Sequence, residues 1–246
     1  MESPLRLHLE AYTRFSPEEG ELLTRLSSRN VRTVAARRDI IREGDKPNAV
    51  NLVIDGWACR YKQLPDGRRQ IVGFFIPGDL CDANVFILRT MDHSIGAITN
   101  VRYSQIAADD FEAMMQSSPR ITLALWWHEL VSAAVAREWM TNIGQRSALE
   151  RLGHLFCELF VRLRSVGRTS HSSCELPLTQ YDLADASGLT SVHVNRTLQE
   201  MRRMELIELE NKRLTIPDLD RLINVSMFNS NYLHLGGEGR HLDSNC

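Results

Sequence analysis

Long hydrophobic runs are missing from this chain. None of its apolar stretches approaches the roughly 20 residues that span a bilayer, and the start Met1-Glu-Ser-Pro-Leu-Arg6 is too polar for a secretory signal. A cytoplasmic location without a membrane partner is therefore expected. Cysteine is sparse and scattered: Cys59, Cys81, Cys157, Cys174 and Cys246 include no Cys-x-x-Cys or other close pair. That spacing gives an iron–sulfur cluster or a zinc site no support. Net charge is almost absent, at −2 over 246 residues. Any nucleic-acid contact must then rest on a few local cations rather than on a whole-chain field. A glycine-rich phosphate loop, a metal-ligand spacing and a nucleophile–base pair are also lacking, so catalysis is not expected.

What is present is sharpest between Leu178 and Arg203. Two short amphipathic segments are hinged at Ser187-Gly188-Leu189, the pattern of a helix-turn-helix. Thr179 can cap the first helix and Thr190 the second, because a hydroxyl accepts from the unpaired N–H groups of a first turn. Gly188 suits the turn, where a Cβ would oppose positive φ. Leu183, Ala184, Val194, Leu198 and Met201 recur at helical spacing and can pack inward. Ser191, Val192, Asn195, Arg196 and Gln199 are left on the opposite face. Ile207–Ile216 alternates apolar and polar residues around Asn211-Lys212, a hairpin signal that makes the motif winged, with Lys212 and Arg213 at the tip. A solvated turn is the bland alternative for those two charges.

Upstream, residues 31–108 read as strands punctuated by Gly44, Gly56, Gly67 and Gly78, every 11 or 12 residues, which predicts a small β-barrel or sandwich. Strands are expected at Val50–Ile54, Ala58–Leu64 and Gln70–Ile76, with a tight turn at Pro65-Asp-Gly67. Ser16-Pro-Glu-Glu and Asp109-Asp-Phe-Glu open short helices. Residues 120–142 form a long helix on which Leu123, Trp127, Leu130, Ala134 and Thr141 make a candidate dimer seam, Arg137 filling the missing step. The alternative is a helix lying on its own domain; Trp126 and Trp127, being adjacent, point in different directions. Ile143-Gly144-Gln145 is a candidate hinge, and Ser147–Arg164 a second helix with a core-facing stripe from Leu149 to Leu163. A polar loop, 165–175, holds Cys174; after the wing come a short helix, 217–223, and a tail, 236–246, expected to be disordered.

With these elements in order, the chain resembles the cyclic-AMP receptor / fumarate–nitrate regulator (Crp–Fnr) family of bacterial transcription factors over residues 15–235. The most specific segments are Gly188-Leu-Thr-Ser-Val-His-Val-Asn-Arg-Thr-Leu198 and Asp55-Gly56 through Pro77-Gly78-Asp79. The resemblance implies an α+β chain in three parts. These are a β-roll sensor, a cyclic-nucleotide-binding-like jelly roll, at 1–118; a dimerisation helix and hinge at 119–145; and a winged helix-turn-helix at 146–246. It also implies a homodimer on a near-palindromic double-stranded DNA operator, in contact with RNA polymerase. Regulation would act through the orientation of the domains about 143–145, biased by a signal bound near 74–97 or the 120–142 helix. DNA contacts are expected from Thr179, Gln180, Thr190, Ser191, Val192, His193, Asn195, Arg196, Gln199, Lys212 and Arg213.

Departures from the family pattern bear on the signal. Aligned from Pro77-Gly78-Asp79, the family's ribose-binding glutamate falls on Ala83, with Asp82 one residue away, and its phosphate-binding arginine falls on His93, followed by Ser94. A mostly neutral imidazole replaces a guanidinium fork poorly, so these four residues are a candidate effector pocket that argues against cyclic AMP. The N-terminal cysteine set of oxygen-sensing members is lacking, and haem is not expected on the lone His93 or His128. Val192 stands where relatives carry a cytosine-reading glutamate, while Arg196 matches the guanine reader. A competing reading is a ligand-sensing module with a protein target, suggested by Val192, His193 and the near-neutral charge.

Overall fold

The computed structural model describes residues 3–83 and 85–243. It divides into two units, Met1–Lys62 with Phe74–Ala133 and His234–Cys246, and Gln63–Gly73 with Ala134–Leu233.

The first unit begins with α1 (Pro4–Leu9), which the sequence reading missed, and α2 (Pro17–Ser28). Ser16 and Glu19 close a reciprocal capping box ahead of Pro17, fixing the start of α2. The roll contributes β1 (Val31–Val34), β2 (Asp39–Ile41), β3 (Ala49–Asp55), β4 (Ala58–Gln63), β5 (Arg69–Phe75), β6 (Leu80–Cys81), β7 (Ser94–Ala97) and β8 (Val101–Ala107). These strands form two four-stranded sheets, ordered β1-β8-β3-β6 and β2-β7-β4-β5. Val53, Cys81 and Tyr103 of one sheet share a buried core with Ala58, Phe75 and Ile95 of the other. Alternation along β8, where Val101 and Tyr103 are buried and Arg102 is exposed, aims each strand's apolar set at that core. A second core joins Leu5 and Leu9 of α1, Leu23 of α2 and Val50 and Leu52 of β3 to the helices that follow.

Those helices are α3 (Ala108–Ser117) and α4 (Pro119–Gln145). The long helix continues unbroken through Ile143-Gly144-Gln145, and the break between helices falls at Arg146-Ser147 instead. Ser147 there caps α5 (Ala148–Ser165) in a second reciprocal box with Glu150, which is the reason the chain turns at this point.

In the second unit, residues 165–175 are not a loop. They carry β9 (Thr169–Ser170) and β10 (Ser173–Glu175), which extend the wing into a four-stranded sheet. Cys174 is consequently a buried strand residue. After α6 (Gln180–Ser187) and α7 (Ser191–Arg203) come β11 (Glu208–Glu210), β12 (Arg213–Thr215) and α8 (Leu219–Ser226). The tail also departs from expectation. Gly239 N–H donates to the Tyr12 carbonyl, Arg120 Nε donates to the Leu242 carbonyl, and Arg14 N–H donates to the Asp243 carboxylate. Backbone and side-chain hydrogen bonds of this kind hold the tail as far as Asp243, and its last three residues lie outside the described chain.

Candidate nucleic-acid interface

Local capping sets the two helices of the motif. Thr179 Oγ1 accepts from Asp182 N–H, and the Asp182 carboxylate accepts from Thr179 N–H in return, at 3.2 and 3.0 Å. Gly188 ends α6 in the left-handed region at φ 63°, and its N–H bonds the Ala184 carbonyl. Thr190 Oγ1 then accepts from His193 N–H at 3.2 Å to start α7. Leu183, Val194, Leu198 and Met201 are buried as their spacing predicts. Gly153 of α5 lets α8 approach closely, since a Cβ there would meet Ser226 Cβ at 2.9 Å.

The outward face of α7 carries Val192, which is 78% exposed, with Asn195, Arg196 and Gln199 also exposed and Ser191 and His193 half-buried. Among the described residues no carboxylate is paired with Arg196. Thr179 and Gln180 are exposed at the start of α6. So is Tyr181, a residue the sequence reading passed over, though an aromatic on the first turn of the motif was the available signal. On the wing, Asn211 and Lys212 form a two-residue turn with φ 49° and 61°, the left-handed pair such hairpins favour. Lys212 is at the tip; Arg213 opens β12 instead, its Nη1 donating to Ser173 Oγ at 3.0 Å. Glu208 and Glu210 are exposed on β11, so the wing carries both signs of charge.

The long helix sorts its seam residues differently from the expectation. Leu123 and Leu130 are exposed, but Trp127 is only 6% exposed and Ala134 is buried. Trp127 faces Tyr12 and His8, with ring centroids 5.8 and 5.9 Å away, so the unforeseen α1 segment claims that side of α4. Thr141 is exposed and spends its hydroxyl on the Arg137 carbonyl. Leu123, Trp126, Leu130 and Met140 are exposed, and with Ala133 and Arg137 they keep an alternating three–four step, while Ile143 near the helix end is exposed off that step.

Comparison with known proteins matches residues 150–225 to a Crp-like helix-turn-helix domain and residues 31–118 to a cyclic nucleotide-binding domain. The transcriptional activator protein FnrL of Cereibacter sphaeroides is 31% identical over 214 residues, covering 84% of each chain. The chain belongs to the Crp–Fnr family. The nitrogen fixation regulation protein FixK of Bradyrhizobium diazoefficiens is 30% identical over 183 residues, covering 74% of this chain and 76% of its own. The solved structure of FixK2 from Bradyrhizobium japonicum shares the fold, with a TM-score of 0.71 at 23% identity over 80% of this chain and 96% of that one. As a Crp–Fnr member with a helix-turn-helix, this protein is a DNA-binding transcription regulator. The described residues include no helix long and apolar enough to cross a membrane.

In this Crp–Fnr protein, two of the four residues expected at the effector pocket, Asp82 and His93, are brought together. His93 Nε2 lies 2.9 Å from Asp82 Oδ2 and His93 Nδ1 lies 2.6 Å from Asp92 Oδ1. Ser94 Oγ accepts from Glu43 N–H at 2.9 Å, while Ala83 packs against the helix-side core. Sequence reasoning missed Arg60, whose guanidinium grips Asp82 and stacks 5.1 Å from the Phe75 ring centroid. An arginine at an inward-leaning position of an apolar strand was the legible clue. Burial alone would raise the Asp82 carboxyl, but His93 and Arg60 outweigh it and hold it below the usual range. Glu129 of α4 adds a carboxylate that burial and Asp82 push upward. A cyclic phosphate does not fit this set. Arg60 is already paired with Asp82, Lys62 is engaged by Glu43 and the Asp92 carbonyl, and the carboxylates of Asp82, Asp92 and Glu129 lie among these groups.

Proposed function

We propose that the protein is a homodimer that reads a near-palindromic operator with one α7 helix from each copy in successive major grooves, and so regulates transcription through RNA polymerase. The observation that carries this reading is the outward face of α7, where Val192, Asn195, Arg196 and Gln199 are exposed over a fully buried inner face. Arg196 bonds guanine O6 and N7 through its fork, Asn195 pairs with adenine, and Val192 meets a thymine methyl. Ser191, His193 and Gln199 supply further hydrogen bonds. Thr179, Gln180, Thr190, Lys212 and Arg213 meet the backbone phosphates and set the register. Relatives named as transcriptional activators support positive regulation here. The exposed stripe Leu123–Trp126–Leu130–Met140 supplies the seam for the second copy, keeping Leu123 and Leu130 of the positions first expected and replacing Trp127 and Ala134. The signal enters through the Asp82–His93–Arg60 cluster and is not a cyclic nucleotide.

Selecting bound sequences from random DNA tests the reading. A two-fold symmetric site is expected, and Arg196→Ala should lose about 1–3 kcal/mol on it while relaxing one position in each half. Equal loss on the selected site and on random DNA would make Arg196 a phosphate contact.

A further inference from the structure

Residues 63–73, the outer part of the β4–β5 hairpin, belong to the same unit as the helix-turn-helix. Arg69 of that hairpin reaches α6. Its Nε donates to Asp185 Oδ2 at 2.7 Å and its Nη2 to Asp182 Oδ1 at 3.0 Å. Beside it, Gln70 Nε2 donates to the Ala186 carbonyl at 3.4 Å. We infer that Arg69 is a positioning residue for DNA reading: it clamps the first helix of the motif through two carboxylates and leaves the face of α7 open. The inference rests on α7 being the DNA reader.

Four features support the clamp. Asp182 and Asp185 stand three residues apart, on one side of α6, at a spacing one guanidinium can bridge. The Asp182 side chain is fully buried and already accepts from Thr179 N–H and Oγ1, so as a buried anion it requires a cation. Gln70 meets one of the last-turn carbonyls of α6, which has no partner within its own helix. Finally, carboxylates on a DNA-docking motif would repel phosphates, and Arg69 offsets one of the two negative charges. Val192 remains exposed with the clamp shut, so the contact is compatible with reading a groove.

The test compares Arg69→Gln, Arg69→Lys and Asp185→Asn in the full chain by amide hydrogen exchange without DNA and by affinity for the selected operator. Arg69→Gln should speed exchange of Leu183–Ser187 by about tenfold and weaken operator binding by about tenfold, the scale of one charge-assisted hydrogen bond. The selected sequence should not change, because no base contact is lost. Arg69→Lys keeps the charge without the fork, and Asp185→Asn removes the more exposed partner. Each should give about a threefold loss in both measurements. If Arg69→Gln does not fold, these two decide the matter. Exchange and affinity within about twofold of wild type in the folded variants would overturn the clamp. Wild-type protein that selects no DNA sequence would instead overturn the reading of α7, and the exchange result would still decide the clamp.

Discussion

One imidazole, that of His93, joins two carboxylates of the roll, lying 2.9 Å from Asp82 and 2.6 Å from Asp92. Asp82 is held in turn by Arg60, and burial together with the charge of Asp82 pushes the Glu129 carboxyl upward. The family position that would carry a permanent cation is thus filled by a group that titrates near neutrality.

Burial of His93 disfavours its charge, but the hydrogen bond and charge of Asp82, helped by Asp92, prevail and raise its pKa above 6.5. Its contribution to stability is then fully present below the unfolded value and lost as pH rises through the raised one. Asp82 has the opposite sign: its contribution stands above the ordinary carboxyl range and disappears only in acid. Melting wild type and His93→Asn between about pH 6 and pH 9 should show an advantage for wild type that shrinks with rising pH. A His93 resonance titrating at or below its ordinary value would refute the argument.

The two adjacent tryptophans should separate association from folding. Trp126 is 63% exposed and Trp127 is 6% exposed. Trp126→Glu, or Leu130→Glu, places a charge in the proposed seam and should yield a folded monomer by sedimentation velocity, with operator binding lost. Trp127→Ala empties a site lined by Tyr12 and His8 and should cost about 3–5 kcal/mol of stability without dissociating a surviving dimer. Monomer from Trp127→Ala and dimer from Trp126→Glu would reverse the assignment.

Short-range signals made much of this legible. The caps at Ser16, Thr179 and Thr190, the left-handed Gly188 and the Asn211-Lys212 turn are each decided by residues within four positions, and all occur where the sequence places them. Failures arose where a distant segment decides. The side of α4 that carries Trp127 is chosen by Tyr12 and His8, more than a hundred residues earlier, so periodicity gave the wrong phase for Trp127. Residues 169–175 are too polar to announce a strand pair, yet pairing with β12 recruits them. Arg60 of the sensor cluster and Arg69 of the clamp lie outside every motif, and only the folded chain brings their carboxylates to them.

Cys174 provides a check on redox readings of the chain. The thiol is buried in β10, and burial outweighs nearby Arg213 to push its pKa up to about 11. Thiolate is the reactive form, so native protein at neutral pH should not be alkylated at Cys174 by iodoacetamide within the time that unfolded protein reacts fully. Rapid native labelling, read by peptide mass spectrometry, would instead mark Cys174 as a reactive thiol.

The last prediction concerns a buried anion beneath the reading motif. Glu158 of α5 is fully buried and accepts from Trp139 Nε1 at 3.1 Å, Tyr232 Oη at 2.8 Å and Arg162 Nη1 at 3.5 Å. Burial still dominates, and its pKa is raised. A raised carboxyl favours the native state most where it is protonated, so its ionisation cost grows as pH climbs through the folded value. Tyr232→Phe removes one donor from the ionised form and should destabilise the second unit by about 1–3 kcal/mol near pH 8, and by less near pH 5. Adding Glu158→Gln to Tyr232→Phe should remove that difference between the two pH values, because no charge remains to be solvated. Urea unfolding of the three proteins at both pH values supplies the comparison. A cost for Tyr232→Phe that does not change with pH would mean that Glu158 keeps one protonation state between the two pH values.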